Sequence, residues 1–368
     1  MNFYLFITSL FLFSAKLLSQ NVAAYKDYKN YFYIFDKGET KELEYKEVFS
    51  FKTGKDFVAY INTDNSLKIY YDGKAEIVEV SQPKNYEVSA NLCVWKMDKR
   101  LMVFDKGVTT KLSDWAAFYN VTDSMVIFTE QPGGDFKVYY KGEIILLEEG
   151  MVNRSINSYT FGKNTIAYTD IANTFKIFYR GKIYDIGTTE IVRGAAAEDI
   201  VSFTNKYTNE FSVFYKGEVI LLETNLPKKT GIANGMIAYV DYGGTFKLFY
   251  DYGTVDLLSN EPDEWNAVGN FLAYTNGPDI LTFWNGKVYT LESNARSLVP
   301  SIFPFKGGTG ENSIFWTDKA GKLKLFFKGE IKTNITYEIV TDVEVVRDII
   351  VFKSGISTTQ VYWEGKVY

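Results

Sequence analysis

Residues 158–186 read SYTFGKNTIAYTDIANTFKIFYRGKIYDI and contain one complete structural unit. Four short segments stand out: Ser158 to Phe161, Thr165 to Tyr168, Phe175 to Tyr179 and Lys182 to Ile186, labelled A to D. B and C carry β-branched and aromatic residues over four to six positions, which suits strands and is too short for helices. Asn164 precedes B, as a tight A–B hairpin prefers. Arg180 and Gly181 separate C from D; glycine at the second place of a two-residue hairpin loop supplies positive φ without steric cost.

The unit recurs along nearly the whole chain. Its C–D glycine returns as Gly38, Gly73, Gly107, Gly142, Gly181, Gly217, Gly253, Gly286, Gly329 and Gly365, the fixed period of a repeat architecture. Asn or Asp precedes segment B at Asp56, Asn91, Asp123, Asn164, Asp199, Asn234, Asn270, Asn312 and Asp348. One large ring stands in each B segment: Tyr25, Tyr60, Trp95, Phe128, Tyr168, Phe203, Tyr239, Tyr274, Trp316 and Phe352. Such a column fills the gap between stacked sheets; a sugar-binding array is the other reading. In the seventh copy an inserted residue, Asp251-Tyr252-Gly253, predicts a looser turn.

Four antiparallel strands repeated around a ring make a β-propeller, in which every sheet edge is short and protected. The phrase Gly162-Lys-Asn164-Thr-Ile-Ala-Tyr168, followed by a C strand, a turn and a D strand, resembles the blades of TolB-like and WD-repeat propellers. The resemblance runs over Asn21 to Tyr368 and implies fold without supplying a catalytic residue. The expected fold is all-β, a single closed propeller of about ten four-stranded blades. Seven or eight blades with extra sheets, or two five-bladed rings, are the alternatives. The first unit lacks an A strand and the last ends at Tyr368 inside a short D strand, so the two are expected to join edge to edge.

Residues 1–19 read as a signal peptide, with an apolar run from Phe3 to Phe13 too short to span a bilayer, and residues 20–368 as the propeller. Export to the periplasm or an outer-membrane surface, or secretion, is the expectation. A net charge of −5 with scattered Lys and Arg lacks the basic stripe of a nucleic-acid binder, and no later segment could span a membrane. The single cysteine, Cys93, lies in a strand-like stretch and reads as a buried thiol.

In this connectivity the A–B and C–D turns share one face, short and repeated, while the D–A and B–C loops on the other face vary. Loops that differ between otherwise equal units are where specificity is placed. The candidate binding residues are therefore Trp115, Arg154 and Trp265 on the D–A loops, with Arg193 and Lys306 on or beside the small-residue A strands. Together with Lys52, Lys229 and Arg347, the last two would give the channel a positive lining.

Chemistry is scarce. The absence of histidine removes Ser-His and Cys-His pairs and every His-ligated metal site, and no catalytic residue, metal or cofactor is expected. Asp170, Asp241 and Asp318 share a position held elsewhere by Asn62, Asn205 and Asn276, an interchange that suits a turn cap. Two function classes follow: a non-enzymatic scaffold binding a protein or envelope component through the D–A/B–C face, or a carbohydrate-binding or carbohydrate-active propeller using carboxylates at the channel mouth.

Overall fold

A computed structural model of the chain describes residues 22–150, 159–188, 190–294, 309–317, 322–333, 335–336, 338–355 and 358–368. Every regular element among them is a β-strand, and the strands form ten antiparallel sheets, each paired in chain order. The fifth blade shows the unit: A Tyr159–Phe161, B Thr165–Thr169, C Phe175–Tyr179 and D Lys182–Gly187. The first blade has three described strands, Val22–Lys26, Phe32–Asp36 and Glu39–Glu44. In the ninth, a Thr309 to Ile314 bridge stands where the A strand would be.

Ten blades close into one ring, as the main reading of the repeat requires, and the seven-, eight- and two-ring alternatives fall away. The closing contact corrects the edge-to-edge expectation. The tenth blade builds all four of its strands from its own sequence, with Tyr368 and Val361 exchanging both backbone hydrogen bonds. The first and last sheets therefore meet face to face, through Ala23 and Phe35 against Ile349, Val351, Val361 and Trp363. Phe35 lies 5.7 Å from the Trp363 ring and 5.1 Å from that of Tyr368.

The C–D turns confirm their chemistry in an instructive exception. Asp72 and Gly73 have φ of 47° and 82°, both left-handed, between the paired residues Tyr71 and Lys74. In the seventh blade the same two places are taken by Asp251 and Tyr252, at 46° and 64°, and Gly253 is already the first residue of its D strand. The turn is as tight as the others. Tyr252 accepts the left-handed backbone while its ring packs edge-on against Tyr215 at 4.9 Å.

The B-strand rings pack between blades as expected, and the polar tips of Tyr60, Trp95, Tyr168, Tyr239 and Trp316 are answered by the preceding blade. In each of the first eight blades the D strand bulges near its end; in the sixth, Phe211 pairs with Glu223 but Ser212 with Leu221, leaving Leu222 extra. A bulge bends the strand and re-aims the side chains beside it. The residue after it reaches the next blade: Glu44 accepts from Tyr60 and Lys68, Glu79 from Trp95 and Arg100, and Glu148 from Tyr168 and Lys176. Glu223 likewise meets Tyr239 and Lys247, and Glu292 meets Trp316 and Lys324. Where that residue is Ser113, Gly187 or Leu258, the following ring is Phe128, Phe203 or Tyr274 and no such triad forms. The acid is the member that decides. Tyr274 keeps its hydroxyl but faces Leu258, and Lys137, given no acid by the preceding D strand, pairs with Glu130 of its own blade, so that the partly buried charge still has a partner.

The Asn and Asp residues before each B strand also do more than shape their own turns. Asn164 Nδ2 donates to Asp199 Oδ1 at 2.9 Å, Asn234 Nδ2 to Asn270 Oδ1 at 3.0 Å, Asn270 Nδ2 to the Glu311 carbonyl at 2.7 Å, and Asn312 Nδ2 to Asp348 Oδ2 at 2.9 Å. They form a belt that ties successive blades at the A–B end of the ring.

Candidate functional site

Antiparallel pairing in the order A-B-C-D puts the A–B and C–D turns at one end of every blade and the D–A and B–C loops at the other. The second end carries the exposed rings. Tyr28, Ile171, Tyr207 and Tyr242 project from B–C loops, and Tyr45, Phe49, Val80, Trp115, Leu226 and Ile339 from D–A connections. Tyr28, Tyr207 and Tyr242 are each more than 70% exposed. Among the described residues, the turns of the opposite end carry one such side chain, Tyr252.

The backbone presents these rings without being loose. Trp115, 42% exposed, donates its N–H to Ser113 Oγ at 3.0 Å and accepts from the Gln131 N–H at 2.8 Å, while Lys99 Nζ lies 3.5 Å from its ring centroid. Lys29, Lys46 and Lys206 stand over the Tyr28, Tyr45 and Tyr207 rings at 5.4, 5.9 and 5.0 Å. A cation on an aromatic face stiffens both at modest energy when exposed.

The other sequence candidates fall in different places. Trp265 is buried between the seventh and eighth blades, 5.1 Å from the Phe246 ring. Gly231 makes room for it, since a Cβ there would stand 2.6 Å from the indole. Arg193 lies on the A strand Ile191–Ala196 of the sixth blade, half-buried, and burial lowers its guanidinium below the usual arginine value. Arg154 and Lys306 lie outside the described residues, as do residues 1–19 and Asp318.

The positive channel lining is not what Lys52, Lys229 and Arg347 make. Lys52 Nζ donates to the Tyr86 carbonyl at 2.6 Å, and Lys229 pairs with Glu261 at 3.3 Å beneath the Trp265 ring. Arg347, in the A–B turn of the tenth blade, pairs with Glu311 of the ninth and reaches Asp123 of the fourth at 3.7 Å. This contact crosses the axis. It borders a cavity of about 450 Å³ at the A–B end, in which Lys163 and Glu198 form a second pair at 3.0 Å. Both cations that line this cavity, Lys163 and Arg347, are matched by a carboxylate, so the mouth is polar and near neutral.

The turn carboxylates are ion-paired as well. Asp170 accepts from the Thr174 N–H at 2.8 Å and pairs with Lys176 at 3.0 Å; Asp241 does the same with Thr245 and Lys247, both at 2.9 Å. Burial alone would raise both carboxyls, but the lysine and the backbone N–H groups outweigh it and hold them below the usual range. The Lys176 ammonium is raised to about 12, chiefly by Glu148. Acids held ionised at neutral pH in this way cap turns; a general acid needs the opposite shift. Among the described residues, no group of three or more Asp, Glu or Cys is placed to hold a metal ion, and no helix is long and apolar enough to cross a membrane.

Comparison with known proteins agrees with the ring. The family model for the 10-bladed beta propeller domain matches residues 16–368. The chain belongs to this family. No curated protein matches the propeller. Among solved structures it is similar to the computationally designed Ika8 protein, at 17% identity and a TM-score of 0.31 over 74% of this chain and 93% of that one. Prp20p from Saccharomyces cerevisiae aligns at 8% identity and a TM-score of 0.30, over 61% of the propeller and 80% of Prp20p. Kluyveromyces lactis Hsv2 aligns at 11% and 0.30, over 63% and 90%.

Proposed function

We propose that this protein is an exported, non-enzymatic propeller that binds another protein or envelope component through its D–A/B–C face, with the periplasm or an outer-membrane surface as its place of work. The observation that carries the proposal is the segregation of exposed apolar side chains: among the described residues, ten large ones, six of them aromatic, stand on that face against a single one in the turns of the other. Solvent-exposed Tyr and Trp on a rigid scaffold are the residues that dominate protein–protein binding energy. The sheets beneath them are tied blade to blade, so a partner meets a surface whose ordering cost is already met.

The test is recovery of tagged protein from its native envelope, with the wild type compared against Tyr28→Ser, Tyr207→Ser and Tyr242→Ser combined. These positions are exposed, so the fold is expected to be unaffected. Support is a defined partner that the triple variant loses; recovery of both proteins alone, or equal capture by both, removes the proposal.

A further inference from the structure

The A–B/C–D end holds a second concavity, away from the exposed rings, and its chemistry is unlike the rest of that face. It is a cavity of about 440 Å³ across the seventh, eighth and ninth blades, within the range of small-molecule sites. Two half-buried rings, Tyr250 and Trp284, form one side; both stand at the last position of a C strand.

The polar lining is almost entirely amide. Asn234, Asn270 and Asn312 come from three consecutive A–B turns, and Asn285 from the C–D turn between them. No other sector of the ring has three successive Asn at the belt position, where Asp56, Asp123, Asp199 and Asp348 stand elsewhere. Asn285 is likewise the one uncharged residue at its turn position: the nine sister units carry Lys, Arg, Asp or Glu, as in Lys37, Asp72, Arg180 and Glu364. The only charge lining the cavity is Lys328, and no carboxylate does.

We infer that this groove binds a neutral saccharide and does not cleave it. A sugar hydroxyl both donates and accepts, and so does an amide side chain, which has two N–H donors and a carbonyl acceptor. The belt bonds hold Asn234, Asn270 and Asn312 in fixed orientations using one N–H of each. Asn285 is fixed by its turn, at φ 46°, and lies 3.5 Å from the Tyr250 hydroxyl. The apolar face of a pyranose presents C–H groups of partial positive charge, which suit the negative face of an indole or phenol ring. A neutral ligand brings no charge of its own to be desolvated among these amides and rings. Glycoside cleavage needs two carboxyls across the scissile bond, and the groove offers none.

The site is on the opposite end from the proposed protein-binding face, and its test is independent of that proposal. Full-length protein is titrated with cellotriose, with the trimer of N-acetylglucosamine and with maltotriose, followed by calorimetry and tryptophan fluorescence. The expected result is saturable binding of at least one trimer with a Kd below ~1 mM. Asn285→Asp, which installs the residue that sister turns use, should weaken it about tenfold or more with an unchanged melting temperature, Trp284→Phe should weaken it at least as much while the ring of blades stays folded, and no new reducing ends should appear. Absence of saturable binding by all three trimers, binding that both variants leave unchanged, or hydrolysis would overturn the inference.

Discussion

Lys247 Nζ in the seventh blade lies 2.9 Å from Glu223 Oε1 at the end of the sixth. The same ammonium reaches Asp241, and the same Glu accepts from the Tyr239 hydroxyl at 3.0 Å. Two carboxylates and a ring donor thus depend on one lysine. Lys247→Met leaves both acids without a counter-charge and is expected to cost about 2–3 kcal/mol, because these groups are only partly screened. Combining it with Glu223→Leu, which restores the apolar match seen where Leu258 meets Tyr274, should recover much of the loss. Chemical denaturation of the single and double variants measures both.

The paired acids also set an acid limit. Asp170 and Asp241 are held below the ordinary carboxylate range, so the stability they contribute is fully present above about pH 4 and is lost as pH falls through their depressed values. Asp56 runs the other way. Burial raises its carboxyl, Lys55 and then Arg347 offset this only in part, and Oδ1 is buried without a hydrogen bond. A raised carboxyl binds its proton more tightly in the folded state, so its cost appears as pH rises through the window above about 4. Asp56→Asn should therefore raise the melting temperature at pH 7 and give no gain at pH 3, as a thermal melt at each pH would show.

The C–D turns separate backbone cost from packing. A Cβ on Gly73 would meet nothing within 4 Å, but the residue sits at φ 82°. Gly73→Ala should cost about 1–2 kcal/mol, all of it conformational. Tyr252→Gly removes a similar strain and also an edge-on ring contact worth about 0.5–1.5 kcal/mol, so its net effect should be small. Equilibrium unfolding of the two variants distinguishes these outcomes.

Cys93 is fully buried in the core between the second and third blades, and burial pushes its thiol well up. It should be inert to a thiol reagent in the native protein and react once the ring unfolds. Its labelling rate in rising denaturant would report the opening of that interface.

The sequence made much of this legible because period, turn glycine and ring column are local signals repeated ten times. The Asn and Asp before each B strand were visible too, but as turn formers; that they also bond the next blade appears only when Asn164 and Asp199 are brought together. The Glu of each triad was hidden for a similar reason. Glu223 belongs to one unit, serves the next, and points there because of a bulge that shifts the count by one. Tyr252 misled because a residue order was read as an insertion, whereas the backbone put tyrosine in the glycine's place. Trp265 looked like a loop indole; its burial depends on Gly231 in the preceding blade.

The central claim is that the D–A/B–C end is the working face. A photo-crosslinking residue placed at Tyr207 on that end, and in a separate variant at Lys141 in a C–D turn of the other, reads it directly in the native cell. The account predicts a discrete protein adduct from position 207 and none from 141. Adducts from 141 alone, or from neither position, would contradict it.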